Sequence, residues 1–473
     1  MKKRFFIKRS RIESPAEKVF RWHCRAGAFE RLQPPWESVR ILERTGGIEP
    51  GSRVELSVGV GPLRQRWIAE HQGFLVPKVG QGDTIPEFWQ FQDVQVQGPF
   101  AHWIHTHKVE ADGNNACYLE DRIEYALPWG RIGDWIGNPI VISKLKRLFT
   151  YRHRVTANDA AYQSGPKGDR VMKILVTGST GFMGSALVPF LTTAGHQVSR
   201  LFRSKSTKFH GMESAISWNP EAGVLDLASL EGFDAVIHLA GENIAGGRWS
   251  SQRKTQILES RSKGTRLLSE TLSRLSHPPK VLISASAIGY YGDRGEERLN
   301  EQSSPGSDFL AKVCQEWEKA STAASDAGIR VLNLRFGIVL STTGGALQRM
   351  VTPFRLGVGG IIGNGSQFMS WIALDELLGV IQHALVTDQL RGPINVASPN
   401  PVTNREFTKT LGRILGRPTI LPMPAFAAKL AFGEMAEALL LSSQRIEPQR
   451  LLQTGYSFRF PELEGALRYL LGK

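Results

Sequence analysis

Three evenly spaced glycines form the first pattern in this chain whose residue type and spacing indicate a ligand-binding site. Gly178, Gly181 and Gly184 stand in VMKILVTGSTGFMGSALVPFL, residues 171–191, between a short apolar run and an apolar helical pattern. This order predicts a strand, a turn and a helix. Backbone N–H groups and a helix N-terminus can bind a dinucleotide pyrophosphate there, provided that no Cβ atom holds it away. The stretch predicts a phosphate-binding turn, and a tight turn without a ligand is the alternative.

Arg203 stands where the next predicted strand, HQVSRLFRS, ends. An acidic residue at this place would hold the ribose 2′-hydroxyl of NAD. No acid occurs between Val198 and Lys208, and Arg200 and Lys205 add further positive charge. A guanidinium can pair bidentately with the 2′-phosphate of NADP. The sequence therefore predicts NADP(H) as the cofactor, and a surface arginine at a strand end is the alternative.

Two further predicted strands carry candidates at their carboxyl ends, the edge where open α/β sheets hold ligands. FDAVIHLAGENI ends in small residues that would let the backbone pass close to an adenosine, and VLISASAIGYYGD releases hydroxyl groups. The candidates at these two strand ends are Leu239, Ala240, Gly241, Ser284, Ser286, Tyr290 and Tyr291.

The elements that position these residues divide the chain into two domains. Residues 1–160 contain several alternating strand-like runs and then a long helix with Val141, Leu145, Leu148, Phe149, Arg152 and Val155 at helical spacing. Residues 161–171, with QSGPKGDR, form a predicted linker, and residues 172–473 alternate strands with helices. The predicted fold is an α/β NAD(P)-binding Rossmann fold preceded by an α+β domain in which a curved sheet wraps one helix.

Two histidines in the first domain could ligate a metal. His105 and His107 are two apart on a predicted strand and share a face, but no third ligand is visible nearby in the sequence. We therefore interpret them as ordinary sheet-surface histidines and predict no metal. A basic set on the long helix is interpreted as a solvated face in preference to a contact with anionic lipid: Lys144, Lys146, Arg147, Arg152 and Arg154.

Composition limits the function classes. The net charge of +14 is shared evenly between the first 170 residues and the rest, and no zinc-finger or RNP-like motif appears, so no nucleic-acid partner is predicted. No apolar run reaches about 18 residues, and no apolar segment follows the basic start, so neither a transmembrane helix nor a signal peptide is expected. Cys24, Cys117 and Cys314 are far apart, which agrees with a reducing compartment, and we expect a cytoplasmic protein.

Residues 4–160 resemble the START-like, helix-grip superfamily, which includes polyketide cyclase/dehydrase proteins and lipid carriers (SRPBCC). The resemblance depends on the order of elements and on phrases such as FAHWIHTHKVE and LEDRIEYALPWG. It implies a pocket for an apolar ligand and no particular reaction.

Residues 172–471 resemble the atypical, epimerase-family branch of the short-chain dehydrogenase/reductase superfamily. The phrases that carry this resemblance are VTGSTGFMGSAL, HLAGENIAGGRW, SASAIGYYG, LRFGIVLSTTGGALQRM, PFRLGVGG, GNGSQFMSWI and NVASPNPVTNREF. It implies that Arg203 takes the 2′-phosphate, Arg261 approaches from a helix and Val339 flanks the nicotinamide. It also implies a pyrophosphate site at Gly178, Thr180, Gly181, Phe182, Met183 and Gly184, and an adenosine path along Leu239, Ala240 and Gly241.

Catalysis departs from the superfamily's usual pattern. That pattern pairs a Tyr with a Lys four residues later, whose charge favours the phenolate that acts as base. Lys312 occupies the lysine position, but Asp308 stands where the Tyr would be. Ser286 matches the hydroxyl that polarises the substrate, and Tyr290 or Tyr291 is a candidate for the missing phenol; structural tyrosines are the alternative.

A substrate-side cap is predicted at about residues 345–473, including a C-terminal segment similar to a domain of unknown function. Arg355, Gln367 and Trp371 are its candidate substrate contacts, and Asp375 is expected in the first turn of a helix. The tail TGYSFRFPELEGALRYLLGK is predicted as a strand and a closing helix.

Three functions agree with these observations. The favoured one is an NADP-dependent oxidoreductase or epimerase that acts on a small molecule, for which the apolar ligand implied for the first domain is one candidate. A catalytically silent NADPH sensor or scaffold follows from the absent Tyr, and a lipid-type carrier with a structural Rossmann domain is the third. The oligomeric state is left open.

Overall fold

The computed structural model describes residues 3–59, 64–75, 88–128, 130–164, 170–203 and 215–473. The chain divides into two compact units: the first comprises Met1–Asp169, Thr192–Gly195 and Gly472–Lys473, and the second comprises Arg170–Leu191 and His196–Leu471. The predicted linker at 161–171 falls partly on residues 165–169, which lie outside the described residues.

The first unit contains one antiparallel sheet of seven strands in the order β1-β7-β6-β5-β4-β3-β2, and apolar and polar side chains alternate along its strands. The strands are β1 (Arg4–Ile12), β2 (Val39–Thr45), β3 (Arg53–Val58), β4 (Gln65–Leu75), β5 (Phe88–Gln97), β6 (His102–Asp112) and β7 (Ala116–Ala126). The helices are α1 (Ala16–Cys24), α2 (Ala28–Arg31) and α3 (Gly130–Tyr162).

Helix α3 packs on one face of this sheet, because its apolar side chains meet those of β7. Leu145 and Phe149 of α3 share one buried cluster with Ile123, Tyr125 and Phe6. This arrangement confirms the predicted α+β helix-grip fold.

The interpretation of His105 and His107 as sheet-surface residues is wrong. Both point to the α3 side of the sheet and are buried. Asp93 Oδ2 on β5 lies 3.0 Å from His105 Nδ1, so a third side chain that could bind a metal is present beside the two histidines. The sequence hid this acid because it reaches the histidines only through the β5–β6 register, which pairs Asp93 with His105.

A depression of about 450 Å³ lies on the other face of the sheet. Gln90, Gln92, Thr106, Lys108 and Arg122 are among the side chains that line it, so this surface is mainly polar. The apolar ligand cavity that the START-like resemblance implies is a different feature and stays a prediction.

The second unit has a main sheet of eight strands in the order β11-β10-β9-β8-β12-β13-β15-β19. Six short strands form three separate pairs, β14-β21, β16-β18 and β17-β20. The strands of the second unit are β8 (Lys173–Thr177), β9 (Gln197–Phe202), β10 (Ala215–Asn219), β11 (Val224–Leu225), β12 (Ala235–His238), β13 (Val281–Ala287), β14 (Arg298–Leu299), β15 (Arg330–Phe336), β16 (Ile338–Leu340), β17 (Phe368–Met369), β18 (Trp371–Ala373), β19 (Gly392–Val396), β20 (Val402–Thr403) and β21 (Arg445–Ile446).

The helices that connect and cover these strands are α4 (Gly184–Thr193), α5 (Ser251–Leu272), α6 (Phe309–Lys319), α7 (Thr322–Asp326), α8 (Gly345–Arg355), α9 (Leu374–Val386), α10 (Asn404–Leu415), α11 (Ala425–Phe432), α12 (Glu434–Ala436), α13 (Gln449–Gln453) and α14 (Leu463–Leu471). No helix in the described ranges is long and apolar enough to cross a membrane.

The neighbouring strands β10, β9, β8, β12, β13, β15 and β19 of the main sheet are parallel. From β8 the chain first adds strands on one side of the sheet, and from β12 it adds them on the other side. This is the topological switch point at which doubly wound sheets bind ligands. The order confirms the predicted Rossmann fold and places the glycine turn after β8 at the switch point.

The predicted strand in residues 454–460 is absent. Residues 454–455 form a turn and the residues after them are irregular, and the N–H groups of Arg459 and Phe460 both donate to Glu376 Oε2 at 2.7 Å. A buried carboxylate therefore replaces a strand neighbour. The closing helix, α14, forms as predicted, and Asp375 and Glu376 lie in the first turn of α9.

Candidate cofactor and substrate site

The turn between β8 and α4 packs so closely that two of its glycines are required by the fold. Gly178 has a φ of 67°, and a Cβ there would come within 2.7 Å of the Leu239 carbonyl carbon. A Cβ on Gly184 would overlap the carbonyl oxygen of Gly178. These two glycines bring the start of α4 against the end of β12.

Gly181 is different, because its backbone conformation does not require a glycine and its packing leaves more room for a Cβ than that of Gly178 or Gly184. It is exposed, its φ is outside the left-handed region, and a Cβ would approach only the Gly178 oxygen, at 3.2 Å. The N–H groups of Phe182 and Met183 have no acceptor within the described part of the chain. Open N–H groups beside an exposed glycine at a helix N-terminus form a site that fits a pyrophosphate.

A buried chain of hydrogen bonds that the sequence did not reveal holds this edge of the sheet together. Thr177 Oγ1 lies 2.7 Å from His238 Nδ1, and His238 Nε2 lies 3.0 Å from Thr265 Oγ1. The Ala240 N–H also donates to Thr177 Oγ1. Burial lowers the pKa of His238 to about 4, so this imidazole is neutral at physiological pH. The detectable signal was a histidine that ends an otherwise apolar strand.

Arg261 positions the loop after β12. Its guanidinium donates to the carbonyl oxygens of Ile257 and Glu242 at 3.0 and 2.9 Å, and it lies 4.9 Å from the ring centre of Trp317. Burial lowers the pKa of Arg261 to about 10. The side chain lies beside Gly241, where a Cβ would be 3.5 Å from the guanidinium carbon. Arg261 therefore shapes the path along Leu239, Ala240 and Gly241.

Arg203 directly follows β9 and is exposed. Thr180, in the glycine turn, is exposed as well. Lys205, which the sequence grouped with Arg203, lies outside the described residues.

Ser286 belongs to a buried polar network at the ends of β13 and β15. Its hydroxyl donates to Glu318 Oε1 at 2.7 Å, and Arg335 binds the same carboxylate through Nε and Nη2, both at 2.8 Å. The sequence analysis missed Glu318 and Arg335. The available signal was an arginine near the carboxyl end of an apolar strand, RVLNLRF.

The two adjacent tyrosines have different environments. Tyr291 is fully buried, donates to Asn395 Oδ1 at 2.7 Å and accepts from Arg335 at 2.8 Å. Burial raises the pKa of Tyr291 to about 12. Tyr290 is half-buried, and the Arg335 guanidinium carbon lies 3.4 Å from its ring centre. Of the two phenols, only that of Tyr291 is committed to a described structural partner.

Lys312 and Asp308 do not join the network around Ser286. Lys312 is exposed and lies in a shallow groove with Leu258 and Phe309, between α5 and α6. Asp308 is the N-cap of α6, and its side chain accepts from the Ala311 N–H at 2.8 Å. Asp308 therefore serves as a helix cap.

The cap candidates separate into exposed and buried residues. Val339 on β16 is half-buried, and Arg355 at the end of α8 is exposed. Trp371 is fully buried and donates to the Asn400 carbonyl, while Gln367 donates to the carbonyls of Ile362 and Leu440. Trp371 and Gln367 are therefore bonded within the cap, and their contact with the substrate stays a prediction.

Phe182 links the glycine turn to the cap. A Cβ on Gly344 would overlap its ring, and one on Gly345 would be 3.2 Å from it. The start of α8 therefore packs directly on the turn that follows β8.

Family models match three parts of the chain. The NAD dependent epimerase/dehydratase family matches residues 174–397, and the polyketide cyclase / dehydrase and lipid transport family matches residues 12–141. A domain of unknown function, DUF1731, matches residues 423–470. Both resemblances inferred from the sequence are confirmed.

Similar solved structures include one described as a nucleoside-diphosphate sugar epimerase from Corynebacterium glutamicum. It is 32% identical with a TM-score of 0.78, and the match covers 99% of this chain and 90% of that chain. A structure of human epimerase family protein SDR39U1 (isoform 2) with NADPH is 35% identical with a TM-score of 0.58, covering 63% of this chain and 99% of that chain.

An epimerase family protein of Mycobacterium bovis is 40% identical over 296 residues, which cover 63% of this chain and 96% of that protein. This identity extends over nearly the whole relative. The chain therefore belongs to the NAD dependent epimerase/dehydratase family.

Proposed function

We propose that the second unit binds NADP(H) at the glycine turn and is an NADP(H)-dependent oxidoreductase or epimerase for a small molecule. The observation that carries this proposal is Gly181, an exposed glycine without a positive φ, beside open N–H groups at the switch point. The NADPH in the human SDR39U1 structure supports the choice of cofactor.

Different residues of the chain would bind different parts of NADP(H). The N–H groups of Phe182 and Met183 and the N-terminus of α4 would hold the pyrophosphate. Arg203 would pair with the 2′-phosphate. When bound, the cofactor supplies or accepts a hydride, while the protein orients it and handles the proton.

Tyr290 is the proposed proton-transfer residue, because Tyr291 is committed to Asn395 and Arg335. Ser286 would act beside it as a hydrogen-bonding hydroxyl. Nucleoside-diphosphate sugars are the first substrate class to test, since the Corynebacterium relative is described as an epimerase of such sugars.

A second candidate, a catalytically silent NADPH sensor, is favoured by two observations. Lys312 is exposed and Asp308 caps a helix, so the usual Tyr–Lys pair has no equivalent at these positions. The Ser286 hydroxyl also already has an acceptor in Glu318.

Gly181→Ala in the full chain tests the pyrophosphate site. The new Cβ has one close neighbour, Gly178 O at 3.2 Å, so the fold should persist while NADPH affinity falls at least about tenfold, or about 1.4 kcal/mol. The control is Gly465→Ala, on α14, where a Cβ meets nothing within 4 Å. Unchanged NADPH binding by Gly181→Ala would contradict the proposed site.

Arg203→Ala tests the preference for NADP(H). Loss of the guanidinium should weaken NADPH binding and leave NADH binding unchanged, since NADH has no 2′-phosphate. Arg274→Ala is a matched control, because Arg274 is exposed just beyond the C-terminal end of α5. Equal losses for both cofactors would count against the role of Arg203.

Tyr290→Phe and Tyr291→Phe separate the enzyme from the sensor. In an assay of NADPH consumption or sugar epimerisation, we expect Tyr290→Phe to lower turnover at least about a hundredfold, within the range for general acid–base groups, with unchanged NADPH affinity. Tyr291→Phe should lower stability instead, because Arg335 and Asn395 lose a buried partner. Saturable NADPH binding without turnover of any tested substrate would favour the sensor.

A further inference from the structure

A cluster of carboxylates and imidazoles lies inside the first unit, between its sheet and α3. Asp93 comes from β5, His105 and His107 from β6, Asp121 from β7 and His153 from α3. The strand register places Asp93 opposite His105 and Asp121 opposite His107. All three histidines and Asp121 are buried, whereas the Asp93 side chain keeps 16% of its surface exposed.

Three of these side chains present donor atoms at the spacing of a metal coordination sphere. Asp93 Oδ2 lies 3.0 Å from His105 Nδ1 and 3.5 Å from His107 Nε2, and the ligand atoms of all three residues lie within 4.8 Å of one another. Metal–ligand distances of about 2.1 Å imply ligand–ligand edges of roughly 3.0 Å in an octahedron and 3.4 Å in a tetrahedron.

Asp121 occupies the position behind both imidazoles. His105 Nε2 donates to Asp121 Oδ1 at 2.8 Å, and His107 Nδ1 lies 2.7 Å from the same oxygen, although not in hydrogen-bond alignment. His153 Nε2 contacts the other carboxylate oxygen at 2.7 Å. Histidines that bind metals usually give their second nitrogen to a carboxylate, which fixes the tautomer and the ring orientation.

Aromatic rings hold the two imidazoles in place. Phe91 stacks on His107 with ring centres 4.1 Å apart, and Phe149 meets His105 edge-on at 5.2 Å. Because the rings are held in place, the two imidazoles would need little rearrangement to bind a metal ion.

We propose that Asp93, His105 and His107 form a binding site for one divalent transition-metal ion of the zinc type, with Asp121 as the carboxylate that orients His105 and lies against His107. Two imidazoles and one carboxylate suit zinc and similar ions better than Mg²⁺ or Ca²⁺, which prefer oxygen ligands. Three protein ligands leave a coordination position for water or a small anion. The half-buried Arg152 nearby adds positive charge that would favour an anion there.

The competing interpretation is a closed ionic cluster that needs no metal. His105 lies between two carboxylates, with Nδ1 3.0 Å from Asp93 Oδ2 and Nε2 2.8 Å from Asp121 Oδ1. A protonated His105 would then compensate the carboxylates in the metal-free chain. A metal ion would displace that proton, so the two states are mutually exclusive and can be separated by experiment.

The experiment titrates Zn²⁺, and Co²⁺ as a spectroscopic probe, into the tag-free full chain after removal of bound metal. The variant Asp93→Asn removes the anionic ligand at nearly constant shape. The control is His102→Gln, because His102 lies on the same strand but on the opposite face, where it contacts Glu124. Circular dichroism of each metal-free protein checks the fold.

The proposal predicts one Zn²⁺ per wild-type chain, a Co²⁺ absorption spectrum typical of nitrogen and oxygen ligands, and a melting temperature that rises with Zn²⁺. Asp93→Asn should weaken Zn²⁺ binding at least about tenfold and abolish the rise, while His102→Gln should match the wild type. No stoichiometric Zn²⁺ binding, or equal affinity in folded Asp93→Asn, would overturn the proposal. If Asp93→Asn is misfolded, folded His107→Gln replaces it under the same criteria.

Discussion

The buried imidazole of His238 gives the second unit a calculable dependence of stability on pH. The folded pKa is about 4 because burial disfavours the charged ring, whereas an unfolded chain has a histidine pKa of about 6.5. Between these values the unfolded state binds a proton and the folded state does not, so stability falls as the pH falls. Linkage gives a loss of about 2 kcal/mol from about pH 7.5 to pH 5, approaching ~3 kcal/mol below pH 4.

The assay is urea unfolding read by pulsed hydrogen exchange in peptides that cover β8 and β12, which reports the second unit separately. His238→Asn has no titrating ring and can still bond to the threonines, so we expect lower stability than the wild type at neutral pH but a smaller loss on acidification. His277→Asn is the control, because the side chain of His277 is 86% exposed. An equal acid-induced loss in the wild type and His238→Asn would refute this reasoning.

Three further predictions concern buried groups. Glu318→Gln should destabilise the second unit by about 3 kcal/mol in urea unfolding, because the buried Arg335 loses its counter-ion. Asp159→Asn should have a similar effect on the first unit, since Asp159 is fully buried and pairs with Arg31 at 2.6 Å. Burial raises the pKa of Cys314 to about 12, so an alkylating reagent should modify this thiol only after unfolding, as peptide mass spectrometry would show.

The glycine turn and the alternation of strands and helices along the chain could be predicted because their sequence signals are local. The apolar run before Gly178 and the helical pattern after Gly184 specify a strand–turn–helix unit, and its alternation with further units specifies a parallel sheet. The sequence could not distinguish Gly181 from its two neighbours, because only packing shows which glycines the fold requires.

The choice between Tyr290 and Tyr291 could not be made from the sequence. The two residues are adjacent at one strand end, and their difference comes from Asn395 and Arg335, which lie far away in the chain. Trp371 and Gln367 were assigned to the substrate for a similar reason: an aromatic or amide side chain near a loop suits either recognition or core packing. Both side chains are buried and bonded within the cap, and their contact with the substrate stays a prediction.

The histidine cluster shows the same limit for strand pairing. A His-x-His pattern reveals a shared face but not its direction, and Asp93 and Asp121 reach the histidines only through cross-strand register. The prediction of sheet-surface histidines failed because alternation alone does not say which side faces the helix.

The most direct test of the central claim is a titration of the wild-type full chain with NADPH and with NADH under identical conditions. The open N–H groups of the glycine turn predict saturable binding of one cofactor per chain, and Arg203 predicts that NADPH binds at least about tenfold more tightly than NADH, a difference of about 1.4 kcal/mol. Failure of either cofactor to bind, or equal affinity for both, would contradict the proposed NADP(H) site.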